Sequence, residues 1–146
     1  MSCILIIEGK DFNVTEFLKL MESEPYEKHL KGEKRPFKKR NHPDIYNSSG
    51  CRFDLSSEDF NNFTQQKIDA INFLKKNKKG LLKMTDLELK ESETPVIGFG
   101  IENQMADFWC QQEYLQPELL KLSGELNIGI EISLYHPTEE DNNEDK

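Results

Sequence analysis

Asn127-Ile128-Gly129-Ile130-Glu131-Ile132-Ser133-Leu134-Tyr135-His136-Pro137 is the stretch on which the reading of the fold turns. Ile128, Ile130, Ile132 and Leu134 alternate with Gly129, Glu131, Ser133 and Tyr135. A period of two makes one face aliphatic and the other mixed, as a half-buried strand requires. Residues 117–122, Pro-Glu-Leu-Leu-Lys-Leu, lead into it as a short helix, with Pro117 in the first turn, where a missing N–H costs nothing. This helix-to-strand unit is expected to be the floor against which the earlier elements pack.

Upstream, the pattern predicts a strand over Val96–Glu102 and a second over Met105–Tyr114, joined by Glu102-Asn103-Gln104 as a hairpin. That second strand would put Phe108 and Cys110 on one face and Trp109 on the other. Residues 81–89 predict a weaker strand through Leu82, Met84 and Leu87. Before it, Ser56 or Ser57 is expected to cap a helix running to about Lys76. Phe60, Phe63, Ile68, Ile71 and Leu74 would line one face, the lysines 75, 76, 78 and 79 would suit the C-terminal dipole, and Gly80 would end it. Cys51-Arg52-Phe53-Asp54-Leu55 alternates as a strand with Cys51, Phe53 and Leu55 inward.

At the start, the unbroken run Cys3–Ile7 predicts a strand covered on both faces. The next helix has a marked beginning: Asn13 as N-cap, Glu16 three residues on, and Phe12 and Phe17 placed as a hydrophobic staple. Val14, Phe17, Leu18 and Met21 form its apolar stripe and Pro25 ends it. Residues 24–50 read as a long polar connection. The order implies one α+β domain over residues 1–137, an antiparallel or mixed sheet of about five to six strands with about three helices against it. Residues 138–146, without an apolar side chain, predict a disordered acidic tail.

Composition narrows the classes. The 146 residues are 36% hydrophobic and 32% charged, and no apolar run approaches a membrane span. The run Cys3–Ile7 is too short for a signal-peptide core and has no basic leader, so a cytoplasmic protein is expected and its three glycosylation sequons are chance matches. The net charge of -8 is unevenly spread. Residues 1–80 carry 15 Lys and Arg against 12 Asp and Glu, net +3, whereas residues 81–146 carry 4 against 15, net -11. An acidic half favours basic partners and repels phosphate backbones.

Most catalytic chemistries lack their residues. His29, His42 and His136 have neither helical i, i+4 spacing nor a nearby Cys, so no metal site and no cofactor is expected. Gly98-Phe99-Gly100 resembles the opening of a dinucleotide fingerprint, but Asn103 stands at the third glycine position and no helix follows directly. Glycines in a strand more often mark a bulge or a close approach. The carboxylates Glu88, Glu91 and Glu93 fall in predicted surface turns. A Cys-His pair using Cys51 or Cys110 would make a small thiol enzyme, although both cysteines fall at inward positions. No catalytic residue is assigned.

Two binding surfaces remain. Lys31, Lys34, Arg35, Lys38, Lys39 and Arg40 are an alternative anion site for nucleic acid or a phosphorylated ligand, or a partner for the chain's own acidic half. Asp107, Trp109, Glu113 and Glu131 are the expected contacts for a basic protein, because aromatic side chains anchor interfaces and carboxylates steer a cationic partner to them. Tyr26, Phe37 and Tyr46 are further exposed candidates.

The chain also resembles the small bacterial domains grouped as domain of unknown function forty-two seventy-nine. The likeness lies in the opening strand and helix, in Pro25 followed by Lys31-Gly32-Glu33, and in Leu119-Leu120 through Leu126 to residues 130–135, Ile-Glu-Ile-Ser-Leu-Tyr. It covers most of residues 3–136, with Phe53 where the family often has Trp. The resemblance implies a compact α+β domain and brings no catalytic residues. Some small acidic proteins of similar look are immunity proteins beside bacterial toxins, which makes a basic toxin or nuclease the partner to expect.

Overall fold

The computed structural model describes residues 1–37 and 40–136. Five strands form one mixed sheet: β1 (Cys3–Gly9), β2 (Glu27–His29), β3 (Ser49–Asp54), β4 (Val96–Glu102) and β5 (Gly129–Tyr135), in the order β2-β3-β1-β4-β5. Pairing is antiparallel except between β4 and β5, which run parallel. Helices α1 (Val14–Leu20), α2 (Phe63–Lys76), the single turn α3 (Lys78–Leu81) and α4 (Pro117–Glu125) pack on the sheet, with a 3-10 turn at Thr85–Leu87. The expected α+β class is the one observed.

The local signals at both ends of the chain act as expected. Asn13 accepts the Glu16 N–H at 3.2 Å, and the Phe12 and Phe17 rings lie 5.2 Å apart. Pro117 opens α4. That helix closes through Asn127 in the left-handed region, φ 55°, with the Ile128 N–H donating to the Ser123 carbonyl at 2.8 Å. This is the six-to-one bond of a Schellman ending, and it turns the chain directly into β5.

Three elements differ from the sequence reading. Residues 81–89 are helical and turn-like, because Leu81 and Met84 recur at three rather than two and both are buried. Gly80 does not end a helix but lies inside α3, where a Cβ would stand 2.9 Å from the Leu20 carbonyl oxygen. Asn77 ends α2 instead, accepting the Glu22 N–H at 2.9 Å and donating to Ser23 Oγ at 3.0 Å. The expected strand over residues 105–114 is a connection without ladder. Asn103 Oδ1 accepts the Met105 N–H at 2.9 Å, and Gln111 Oε1 accepts the Gln104 N–H at 2.9 Å. Side chains thus take backbone donors that a hairpin would have used. The long connection is also partly built, with β2 inside it and a bridge between Lys34 and Ile45. The expected tail, residues 138–146, lies outside the described residues.

Helix α2 begins at Phe63, capped by Asn62 and not by Ser56 or Ser57. Ser56 serves a local turn, accepting the Glu58 N–H and donating to Asp69 at 2.6 Å. The delay releases Phe60 from the helix and sends its ring to the far side of the sheet.

Among the described residues, all helices lie on one face. Cys3, Leu5 and Ile7 of β1, Cys51 and Phe53 of β3, and Ile97, Phe99 and Ile101 of β4 point at them and are buried. Ile4 and Ile6 point the other way and are only half-buried. The expectation of a β1 covered on both faces is therefore corrected. The strand is central in the sheet, but its second aliphatic row borders a depression in place of a helix layer.

Candidate functional site

The uncovered face is an alternating selection of the sequence. Register places Glu27 and His29 of β2, Arg52 and Asp54 of β3, Ile4, Ile6 and Glu8 of β1, Val96, Gly98 and Gly100 of β4, and Glu131, Ser133 and Tyr135 of β5 on that side. Between β1, β4 and β5 the face sinks into a trough of about 340 Å³. Its floor is glycine. A Cβ on Gly98 would find only Ile4 Cγ1, at 3.8 Å, so the space above it is open.

Gly100 serves the end wall. A Cβ there would come within 2.6 Å of the Phe60 ring, so a side chain would displace it. Phe60 and Tyr135 meet over this glycine with ring centroids 5.0 Å apart and close that end. Ile4, Ile6 and Val96 give apolar walls, and Thr94 and Glu8 border the opposite end. Glu131 and Ser133 supply polar groups along the β5 side. The trough joins an apolar floor to carboxylates at its margin, a surface suited to the stem and head of a Lys or Arg side chain.

Beyond Glu8 the face ends in a stacked cluster. His29 lies on Tyr46 with ring centroids 4.2 Å apart, and the Arg35 guanidinium sits 4.3 Å from the other partner's ring centre, that of Tyr46. Glu8 accepts from the Ser48 hydroxyl and stands 3.9 Å from His29 Nε2. Burial pulls the His29 imidazole below its ordinary value, while Glu8 and Glu27 pull it up and Arg35 and Arg52 push it down. Gly50 leaves room for this ring, since a Cβ there would lie 2.9 Å from His29 Cε1.

The structure distributes the residues expected to bind a basic partner. Glu131 lines the trough midway along β5. Asp107, Trp109 and Glu113 are exposed in the connection between β4 and α4. That connection leaves from the Tyr135 end, where the Asn103 N–H donates to the Tyr135 carbonyl at 2.7 Å and Gln111 Nε2 donates to the Glu102 carbonyl at 3.0 Å. Lys67, a buried cation that periodicity does not single out, holds its other end by donating to the Tyr114 carbonyl, with Nζ 4.4 Å from the Phe63 ring centre.

The basic segment is partly committed to the protein itself. Lys31 Nζ lies 3.4 Å from Asp11, and Arg35 lies on Tyr46 and donates to the Pro43 carbonyl at 2.9 Å. Lys34 is in the bridge to Ile45, and Arg40 is exposed in a turn. Lys38 and Lys39 lie outside the described residues. Tyr46 is taken up by the stack, whereas Tyr26 and Phe37 are exposed.

Cys51 is buried, and burial pushes its thiol up to about 12, which removes it as a neutral-pH nucleophile. Cys3 is raised in the same way by burial, with Asp54 and Asp69 adding to it. Cys110, expected inward, is exposed, because the strand that would have turned it inward does not form. Among the described residues no three His, Cys, Asp or Glu side chains gather as a metal would need, and no helix is long and apolar enough to cross a membrane.

No protein-family model, curated protein or solved structure matches the chain.

Proposed function

We propose that the protein is a non-enzymatic binding domain that receives a basic, partly apolar segment of a protein partner on the uncovered sheet face. The observation that carries this is the charge of that face. Among the strand residues on that side, Glu8, Glu27, Asp54, Glu102 and Glu131 stand against Arg52, around a floor of two glycines and walls of Ile4, Ile6 and Val96. An arginine or lysine laid across the trough would rest its stem on the aliphatic walls. Its head would reach Glu131 or the Phe60–Tyr135 rings, whose faces attract cations. Trp109, Asp107 and Glu113, exposed in the connection that leaves from the Tyr135 end, would add a second contact zone. Masking a basic toxin or nuclease, as an immunity protein does, is the role that best uses such a surface.

Complementary charge of this kind speeds association and makes it salt-sensitive. The test is an amide NMR titration of the full chain with a short peptide of alternating arginine and leucine, at low and at high salt. Shifts gathered at Gly98, Gly100, Glu131 and Ser133 and lost at high salt are expected. Shifts absent, or confined to residues 31–49, would overturn the reading. A nucleic-acid or phosphate site on Lys31–Arg40 is the lesser reading, since Asp11 and Tyr46 already engage two of its cations. Retention on a polyanion column would support it.

A further inference from the structure

The two edges of the sheet are unequally protected. The β2 edge is three residues long and carries Glu27 and Lys28. Short, charged edges resist pairing with another chain. The β5 edge is seven residues long, with no proline, lysine or arginine between Gly129 and Tyr135. Ile132 and Leu134 are 37% and 54% exposed along it.

The ladder determines which groups that edge offers. The Gly129 N–H donates to the Pro95 carbonyl, and the Tyr135 carbonyl accepts from Asn103, so the odd-numbered residues of β5 turn their backbone groups toward β4. Backbone direction alternates along a strand. Ile130, Ile132 and Leu134 therefore present their N–H and C=O groups outward, and these are also the aliphatic residues on the helix side.

We infer that β5 pairs with β5 of a second copy, antiparallel, about a two-fold axis at Ile132. In that register Ile132 faces its own copy and Ile130 faces Leu134. All three outward residues exchange both of their backbone bonds, six in all. On the other side Glu131 falls opposite Ser133, not opposite a second carboxylate. A shift by one pairing step toward the N-terminus would set Glu131 against Glu131 and lose an outward pair; the opposite shift also loses one. Of the closed, two-fold arrangements, the Ile132-centred one alone uses the whole edge without opposing charges.

Helix α4 extends the same strip. Glu118 and Glu125 reach Lys75 and Lys78 of α2 and so mark its inner side. Leu120 lies about half a turn round from Glu118, so away from α2, and is 49% exposed. Gly124 beside it has open space around its Cα, which allows close approach. The sheet then continues across two copies, and Leu120, Ile132 and Leu134 become covered. This inference is independent of the trough reading and extends the uncovered face without blocking it.

Sedimentation of the full chain across micromolar concentrations, with amide hydrogen exchange, tests it. A dimer is expected, with the Ile130, Ile132 and Leu134 amides protected and their protection lost on dilution. Ile132→Lys sets two ammonium groups against each other at the axis and should weaken dimerisation at least tenfold, with circular dichroism unchanged. Leu82→Lys, at an exposed leucine elsewhere, should leave the dimer intact. Should Ile132→Lys not fold, Leu134→Lys carries the same test. A wild-type monomer at about 0.1 mM, well above the dissociation constant of a stable dimer, overturns the inference. So does a dimer in which the three amides exchange freely, or one that a folded Ile132→Lys or Leu134→Lys variant retains.

Discussion

On the helix side of the sheet, Leu5, Ile7, Phe53, Ile97 and Phe99 are completely buried; on the other side, Ile4 and Ile6 of the same central strand are only half-buried. The covered face has large residues in contact with Phe17, Leu74 and Leu119 from three helices, and its cysteine Cys3 is as buried as its leucine. The uncovered face has glycines where large residues would otherwise meet, and carboxylates around them. One face is selected for filling and the other for keeping a space. The difference separates what stability requires from what binding requires, because one sheet serves both with alternate residues.

The largest effect that would sharpen this contrast is expected from Phe99→Ala. Removing a fully buried ring leaves a cavity and should cost about 3–5 kcal/mol in urea unfolding. Gly100→Ala comes next. Its methyl would force the Phe60 ring off Tyr135, and overpacking of this kind costs about 1–3 kcal/mol. Gly98→Ala, two residues away, meets only Ile4 at 3.8 Å and should leave stability unchanged or raise it, while reducing peptide binding. If the two alanine variants behaved alike, the distinction between floor and end wall would fail.

Ile6→Ala should cost about 1 kcal/mol, well below the price of Phe99→Ala, because half of that side chain is already in water. A loss equal to that of Phe99→Ala would show that the uncovered face is in fact buried, for example by a partner or a second copy.

A smaller effect is expected from His29. Its folded-state value lies below 6.5, chiefly through burial, so the unfolded chain binds the proton more readily. Stability should fall as pH drops through 6.5 toward the folded value, and His29 should add no slope above that window. Melting curves of His29→Gln between neutral and mildly acidic pH should be flatter than those of the wild type. The smallest stability change is expected from Glu131→Lys, within about 0.5 kcal/mol for an exposed strand position. That variant should nonetheless weaken binding of the arginine-leucine peptide several-fold by titration, and unchanged binding would remove Glu131 from the site.

The sequence by itself determined the α+β class, the beginnings of α1 and α4, and strands β1, β3, β4 and β5. Each of these rests on local chemistry: Asn13 accepting from Glu16, Pro117 lacking an N–H, and aliphatic residues repeating at two. It also pointed to a close approach at the Gly98–Gly100 pair, which the structure shows at Gly100 and not at Gly98. Tertiary structure alone decided that β4 and β5 run parallel, that β5 lies at an edge, and that the described helices cover one face only. The aliphatic alternation of Ile130, Ile132 and Leu134 is the same whether a neighbouring layer buries it or an edge exposes it. In the same way, Phe60 fits the stripe of α2 by spacing, but Asn62 caps the helix after it and the ring crosses to Tyr135. Local signals specify which groups share a face, whereas the opposing surface is set by contacts between residues far apart in the chain.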